Sequence, residues 1–160
     1  DSVTKEKAEK LIDLLELYPE KMGYHLDYGI ELQSAGISIR LIPGNHSVPC
    51  SMVRLAEEHV IVLYTSDTAY NPELKKKTGE CNVLIHEATS AHSGITELAP
   101  DGHSSAYQAG LAAKAADAQK LFLCHLCNNR YPAADSALSE AKKAYPGEVI
   151  MPELFKWYDL

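Results

Sequence analysis

The chain has 160 residues, of which 46% are hydrophobic and 23% are charged, a composition typical of a globular domain with a sizeable core. Its formal net charge of −7 argues against a broad phosphate-binding face on this chain alone. No apolar run approaches the roughly 20 residues that span a bilayer, so we expect no membrane insertion. The four cysteines lie mostly in apolar stretches, which favours a reducing, cytoplasmic location over a disulfide framework.

The first part of the chain predicts one helix followed by several strands. Apolar residues at helical spacing predict a helix over residues 5–17. Residues 23–32 alternate loosely as a strand, and residues 36–42 alternate more clearly. Residues 51–55 and 60–64 are predicted to pair as antiparallel strands across a charged turn. The second of these strands is a continuous apolar run, which predicts burial on both faces.

The remainder of the chain alternates helices with strands. We predict helices over residues 72–77, 104–117 and 135–145, and strands over residues 82–85, 120–126 and 148–151. Residues 90–101 are small, polar and unpatterned, as in an active-site loop. This alternation predicts a single α/β (α+β) unit over residues 1–160, with a mixed sheet flanked by helices.

Polar side chains follow or end four of the predicted apolar strands. They are His46, Asp67, His86 with Glu87, and His125. Ligands gather beyond the carboxyl ends of strands in layered α/β folds, so these residues are candidates for one site. Imidazoles and a carboxylate are the ligands expected for zinc or a similar divalent ion, and a carboxylate such as Asp67 can bridge two ions. The alternative is structural: a hydrogen-bonded histidine at a strand end, or an Asx turn at Asp67.

The step G-H-S-S at residues 102–105 opens the predicted helix over residues 104–117. The backbone N–H groups and the hydroxyls of Ser104 and Ser105 are candidates for holding an anionic oxygen. His103 is then a candidate for protonating a leaving alkoxide. The alternative is an ordinary helix cap, which explains a serine and leaves the histidine without a role.

Cys124-x-x-Cys127 invites a zinc or redox interpretation, which strand geometry disfavours. On a strand, His125 shares a face with Cys127 while Cys124 points the other way. His25, His59 and His92 lack the strand-end context, and we expect them to face solvent.

Taken together, these residues resemble the second half of a metallo-β-lactamase-superfamily hydrolase, most closely the ribonuclease Z-like branch. The resemblance covers about residues 36–151. Its pieces, in the family's order, are N-H-S-V-P around His46, T-S-D-T around Asp67, L-I-H-E-A-T at 84–89, G-H-S-S-A-Y-Q-A-G-L-A-A-K-A-A-D-A at 102–118, L-F-L-C-H-L at 121–126 and N-R-Y at 129–131.

The resemblance implies a role for each candidate. His46, Asp67 and His125 match metal ligands, with Asp67 bridging two Zn²⁺ ions (Mn²⁺ is the alternative metal). His103 matches a residue that assists the leaving group. The remaining candidates are Ser104, Ser105 and Arg130 near the substrate phosphate, and His86 and Glu87 behind the metal ligands. The usual G-D-T reads S-D-T here, so Ser66 must make a turn that suits glycine; H-S-T reads H-S-S.

The family's first half carries an H-x-H-x-D-H motif that supplies four further ligands, and no such string occurs in this chain. The resemblance therefore implies one half of an αββα sandwich, incomplete as an enzyme by itself. Because the two halves of that fold pack sheet against sheet, one face of this sheet is expected to be apolar. The expected partner is an N-terminal half of the same fold or a second copy of the chain in a dimer.

The resemblance implies a zinc-dependent phosphodiesterase, an endoribonuclease of the type that processes the 3′ end of transfer RNA. The acidic balance of the chain weakens the RNA assignment unless basic contacts lie on the other half. Two alternatives stay open. One is a hydrolase of the same fold that acts on a small phosphodiester or another ester, and the other is a non-catalytic assembly subunit.

Overall fold

The computed structural model describes residues 31–133 and 135–160, together with Glu6. They form one seven-stranded sheet whose spatial order follows the chain. Its strands are β1 (Glu31–Ser34), β2 (Ile37–Pro43), β3 (Ser51–Glu57), β4 (Val60–Tyr64), β5 (Val83–Glu87), β6 (Lys120–Cys124) and β7 (Glu148–Ile150). The helices are α1 (Leu74–Thr78), α2 (Ala106–Ala115) and α3 (Ser136–Ala144), with 3₁₀ helices at His92–Asp101 and Asn128–Arg130. The predicted helix 5–17 and most of the predicted strand 23–32 lie outside the described residues.

The sheet is mixed, and the change of direction falls at β4. Strands β1 to β4 pair antiparallel in sequence order. Strands β4 to β7 pair parallel, and helical crossovers connect them. This confirms the predicted α/β class and mixed sheet. The parallel strands β4, β5 and β6 therefore end at one edge of the sheet, where their following loops meet.

Helix α2 lies against the sheet because its inner face is made of small residues. Ala109, Ala112 and Ala113 are fully buried. Gly110 meets α3 so closely that a Cβ there would lie 2.5 Å from the carbonyl oxygen of Ala141. Small side chains let two helices pack closely, and alanine also has the highest helix propensity. The short distance between α2 and α3 therefore depends on the alanine and glycine residues of α2.

Three predicted elements differ from the structure. Residues 90–101 are not an unpatterned loop, because His92–Asp101 forms a 3₁₀ helix that buries Ile95 and Leu98. Strand β5 runs on through Glu87, two residues past its predicted end. Strand β6 stops at Cys124, since His125 adopts a left-handed backbone with φ of 54°. Because the strand ends before His125, the alternation that we used to place His125 and Cys127 on one face does not extend to them.

The two faces of the sheet are different. The helix-covered face carries α1 to α3 and includes Leu63, Leu84 and Leu121 in the core. β4 was predicted to be buried on both faces, and in this chain by itself only the helix-covered face is buried. Leu63 is fully buried, but Val60 and Tyr64 on the other side are 37% and 41% exposed.

The opposite side, which we call the apolar face, is the one that the resemblance predicts. Alternation and strand register place on it a largely apolar set of residues, with Glu57, Lys120 and Glu148 as charged members at strand ends. The apolar members are Ile39, Leu41, Val53, Leu55, Val60, Val62, Tyr64, Val83, Ile85, Phe122 and Ile150.

The C-terminal segment, residues 152–160, lies against part of the apolar face. The ring of Tyr158 packs edge-on against Phe122 at 5.3 Å. A cavity of about 280 Å³ between the segment and the sheet is lined by Val62, Ile85 and Leu160 among others. In the same segment, the side chains of Phe155 and Trp157 are fully exposed. In the described ranges, no helix is long and apolar enough to cross a bilayer.

Candidate metal centre

Five titratable side chains meet at the edge where β4, β5 and β6 end. Asp67 follows β4, Glu87 ends β5, and His125 follows β6. His46 comes from the loop after β2, and His103 from the turn before α2. The convergence of strand ends that the sequence predicts is therefore present in the structure.

Left-handed backbone at two positions aims Asp67 and His125 at each other. Ser66 has a φ of 56° and His125 a φ of 54°. Because this conformation is unfavourable for a residue with a Cβ, its occurrence on both sides of one contact points to a functional constraint. The Nε2 atom of His125 lies 3.7 Å from Oδ2 of Asp67, and both side chains are partly exposed.

The loop that carries His46 is fixed by backbone contacts with two other loops. Ala69 N–H donates to the carbonyl of Asn45 at 2.7 Å, and Ser47 N–H donates to the carbonyl of Asp101 at 3.0 Å. Gly102 makes this contact possible, because a Cβ there would lie 2.6 Å from the Cα of His46. The Nε2 atom of His46 consequently lies 3.4 Å from Nε2 of His103.

Glu87 supports the site from below and is completely buried. Its Oε1 accepts from the backbone N–H of Thr68 at 2.9 Å and lies 3.0 Å from Nδ1 of His103. Its Oε2 accepts from the hydroxyl of Thr89 at 2.7 Å and from the Thr89 N–H at 3.3 Å. A buried carboxylate needs such partners, and these contacts tie the loops after β4 and β5 to His103.

His86 lies on the opposite face of β5 from Glu87, since neighbouring strand residues alternate. It is buried, and its Nδ1–H donates to the carbonyl oxygen of Glu87 at 2.7 Å. Burial lowers the pKa of the His86 imidazole, which favours the neutral ring. His86 was predicted to lie behind the metal ligands, and the contact that the structure shows is this hydrogen bond to the backbone of Glu87.

Ser104 and Ser105 were predicted to hold the substrate phosphate, and the structure gives both hydroxyls other partners. The Ser104 hydroxyl donates to the carbonyl of Thr68 at 2.7 Å. Ser105 caps α2 in a reciprocal capping box with Gln108, and its hydroxyl lies 2.9 Å from Nδ1 of His92. Because both serines are completely buried, they hold the turn around His103 and do not present hydroxyls to a ligand.

Arg130 lies at the end of the Asn128–Arg130 turn that follows β6. Its guanidinium is 3.8 Å from a carboxylate oxygen of Glu97, and both groups are solvent-exposed. Its backbone carbonyl accepts from the N–H of Ala91 at 3.2 Å, which joins this turn to the loop after β5. As placed, the Arg130 guanidinium therefore pairs with a surface carboxylate, and its predicted contact with a substrate phosphate stays a prediction. His92, predicted to face solvent, is exposed as expected and still contacts Ser105.

Sequence reasoning missed Thr89, whose hydroxyl lies 2.8 Å from Nδ1 of His125 and 3.2 Å from Nδ1 of His103. The signal available was its position two residues after Glu87, at the same strand end.

The donor set fits a divalent metal ion. The described residues contain two groups whose ligand atoms all lie within 4.8 Å of one another: His46, Asp67 and His103, and Glu87, His103 and His125. Bonds of about 2.0–2.1 Å in tetrahedral geometry separate two donors by about 3.3 Å. The 3.4 Å between His46 and His103 and the 3.7 Å between His125 and Asp67 are close to that spacing.

Neither group is the ligand set implied by the resemblance, which has His125 where the first group has His103. The set that the resemblance implies contains the more accessible imidazole, because the side chain of His125 is 45% exposed and that of His103 only 15%. An imidazole in that position suits proton transfer at the edge of the metal site.

The architecture is that of the metallo-β-lactamase fold. The metallo-β-lactamase fold protein YhfI from Bacillus subtilis superposes with a TM-score of 0.71 at 25% identity, covering 84% of this chain and 57% of that one. This confirms the predicted fold.

The predicted resemblance to ribonuclease Z is also confirmed. The chain is 35% identical over 138 residues to the ribonuclease Z of Azobacteroides pseudotrichonymphae, covering 86% of this chain and 46% of the relative. It is 30% identical over 135 residues to that of Natronomonas pharaonis, covering 84% and 44%. The chain thus spans about half the length of the ribonucleases it matches. No family model matches the chain.

Proposed function

We propose that this chain is the C-terminal part of a metal-dependent phosphodiester hydrolase of the ribonuclease Z type, which cuts the 3′ end of precursor transfer RNA. The observation that supports this most is the joint placement of Asp67, His125 and His46 beside a histidine held by a buried carboxylate. The similarity to ribonuclease Z over most of this chain supports the same function.

His46, Asp67 and His125 are the proposed metal ligands. Their imidazole and carboxylate donors suit Zn²⁺, with Mn²⁺ as the alternative, and Asp67 can serve two ions through its two oxygens. When bound, the metal supplies Lewis-acid polarisation of a phosphoryl oxygen and an activated water as nucleophile. Three protein ligands are too few for two ions, so in this proposal an N-terminal half of the fold supplies the remaining donors.

His103 is the proposed general acid. Glu87 accepts a hydrogen bond from its Nδ1–H, which orients the ring. The Nε2 atom faces the metal ligands, so the proton that it carries can pass to the leaving 3′ oxygen.

The proposed partner is an N-terminal half of the same fold, packed on the apolar face. Val60 and Tyr64 are 37% and 41% exposed, and they belong to an extended apolar surface. Single exposed apolar residues are normal on a protein surface, whereas an extended apolar patch marks an interaction site. The exposed Phe155 and Trp157 of the C-terminal segment would enlarge the same contact. A second copy of the chain would cover the apolar face but supply none of the missing ligands.

A small phosphodiester is the second candidate substrate. The net charge of −7 favours it, because a protein that grips RNA usually carries a basic face. RNA remains our first choice on the condition that the N-terminal half carries that face. Since the four cysteines lie mostly in apolar stretches and do not form the pattern of a disulfide framework, we also expect a cytoplasmic location.

Reconstitution tests the proposal. Mixing the chain with an N-terminal half that carries H-x-H-x-D-H, in the presence of Zn²⁺, should restore hydrolysis of bis-p-nitrophenyl phosphate. Asp67→Ala should abolish that hydrolysis, whereas Asp117→Ala, which removes an exposed partner of Lys75, should leave it unchanged. Activity that persists in Asp67→Ala would sink the assignment.

The substrate is decided by a second assay on the reconstituted protein. A ribonuclease Z should remove 3′ trailers from precursor transfer RNA with an activity that falls steeply with salt. Cleavage of a cyclic nucleotide but not of the RNA would favour the small phosphodiester. A non-catalytic assembly subunit would bind the N-terminal half equally well after chelation, whereas a site organised by metal should loosen.

A further inference from the structure

Thr89 joins the buried and the exposed parts of the site through one hydroxyl group. Thr89 lies just after β5 and is buried. Its Oγ1 is within hydrogen-bond distance of Oε2 of Glu87 at 2.7 Å, Nδ1 of His125 at 2.8 Å and Nδ1 of His103 at 3.2 Å. A hydroxyl has one proton to donate and two lone pairs, so these three contacts restrict one another.

The direction of each contact follows from the carboxylate. An ionised carboxylate only accepts, so the Thr89 hydroxyl donates its single proton to Glu87. The same oxygen can then only accept from the two imidazoles. His125 must therefore carry its proton on Nδ1, at the shorter of the two distances, in order to make this hydrogen bond.

The Nδ1–H form has a consequence at the other side of the His125 ring. In a neutral imidazole, a proton on Nδ1 leaves a lone pair on Nε2. That atom faces Oδ2 of Asp67 at 3.7 Å. Metal-binding histidines commonly donate their second ring N–H to an oxygen in this manner, which fixes both tautomer and orientation.

We propose that Thr89 is a positioning residue that fixes the Nδ1–H tautomer of His125 and thereby presents Nε2 for metal binding. The metal-binding half of this statement rests on the function proposed above, while the tautomer is a property of the chain by itself. A serine retains the hydroxyl, and a valine has nearly the same shape without it. These two substitutions therefore separate hydrogen bonding from packing.

The first experiment reads the tautomers directly. Long-range ¹H–¹⁵N spectra of the ¹⁵N-histidine-labelled chain at pH 8 should show His125 as Nδ1–H in the wild type and in Thr89→Ser. In Thr89→Val the Nε2–H form should become the major species, while the exposed His59 stays unchanged in every sample. A wild-type His125 in the Nε2–H form would overturn the proposal, even if the valine variant does not fold.

The second experiment measures Zn²⁺ binding to the same three proteins by calorimetry. Loss of a hydrogen bond to a metal-bound histidine weakens binding by about 10–100-fold, so we expect a loss of that size in Thr89→Val and less than about 3-fold in Thr89→Ser. An unchanged affinity alongside a switched tautomer would overturn the ligand role of His125. A weakened affinity with an unchanged tautomer would overturn the positioning role of Thr89 and leave the proposed function intact.

Discussion

The site has two layers that are built differently. The inner layer, Glu87, Thr89 and His103, is almost entirely buried, and hydrogen bonds within this chain join its members. The outer layer consists of His46, Asp67 and His125. Asp67 and His125 are 35% and 45% exposed, and their donor atoms face each other across a gap of 3.7 Å. Hydrogen bonds within the chain thus organise the inner layer. In the outer layer, partly exposed nitrogen and oxygen atoms are placed where they could bind a metal ion.

The largest expected effect is on the inner layer. Glu87→Ala should lower the free energy of unfolding by about 3 kcal/mol, because it leaves buried donors on Thr68, Thr89 and His103 without an acceptor. Urea denaturation measures this change. Glu97→Ala, at an exposed carboxylate, should change it by less than about 0.5 kcal/mol. A similar small loss in Glu87→Ala would show that the inner layer does not hold the loops together.

The outer layer should respond in the opposite way. Asp67→Ala should change the free energy of unfolding by less than about 0.5 kcal/mol, because the side chain is partly exposed and its contact with His125 is long. Zn²⁺ affinity should fall by at least about 30-fold, roughly 2 kcal/mol, through loss of an anionic ligand. Calorimetry on the metal-free chain measures it. Unchanged Zn²⁺ affinity would remove Asp67 from the metal site.

A smaller effect is expected from acid, through His86 beside the inner layer. Burial lowers the pKa of His86 in the folded chain, so the unfolded chain binds more protons below its ordinary value of 6.5. Stability should therefore fall as the pH drops below about 6.5, by at most about 1.4 kcal/mol at pH 5.5 from this group.

Urea denaturation at pH 7.5 and 5.5 measures that loss. In His86→Gln the difference between the two pH values should shrink, whereas in His59→Gln, at an exposed turn, it should match the wild type. An unchanged pH dependence in His86→Gln would mean that this imidazole does not resist protonation.

The smallest expected effect is a gain in stability. Ser66→Gly should raise the free energy of unfolding by about 0.5 kcal/mol, because glycine adopts the φ of 56° without strain but gains entropy when unfolded. Zn²⁺ affinity should stay the same if the turn alone positions Asp67. Thermal and urea denaturation measure the gain, and Glu58→Gly, at a φ of 48° away from the site, is the matched control. Lower stability in Ser66→Gly alone would show that the Ser66 side chain contributes to the turn.

Most of the sheet could be predicted, because periodicity and apolar runs are local signals. The pairing of β3 with β4, the helix after His103 and the position of Asp67 beyond a strand end all follow from short windows of sequence. The error at His125 has a physical cause. Its apolar neighbours extend the strand pattern, but tertiary contacts with Thr89 and Asp67 favour a left-handed residue there.

The serines of the G-H-S-S step show the other limit. A serine before a helix is equally compatible with capping and with anion binding, and only burial distinguishes the two. The structure commits Ser104 to the carbonyl of Thr68 and Ser105 to its helix cap. Thr68 lies 36 residues before Ser104 in the chain, so no local signal identifies this partner.

The sequence by itself determined the elements of the mixed sheet, the residue types of the candidate metal site and the resemblance to ribonuclease Z. These depend on local pattern and on strings of neighbouring residues. Only the tertiary structure decided which donors meet, that Glu87 and Thr89 lie beneath them, and which face of the sheet is covered by helices. The physical reason is that a hydrogen bond or a metal site needs donors within a few ångströms, and that distance is set by loops that are far apart in the chain.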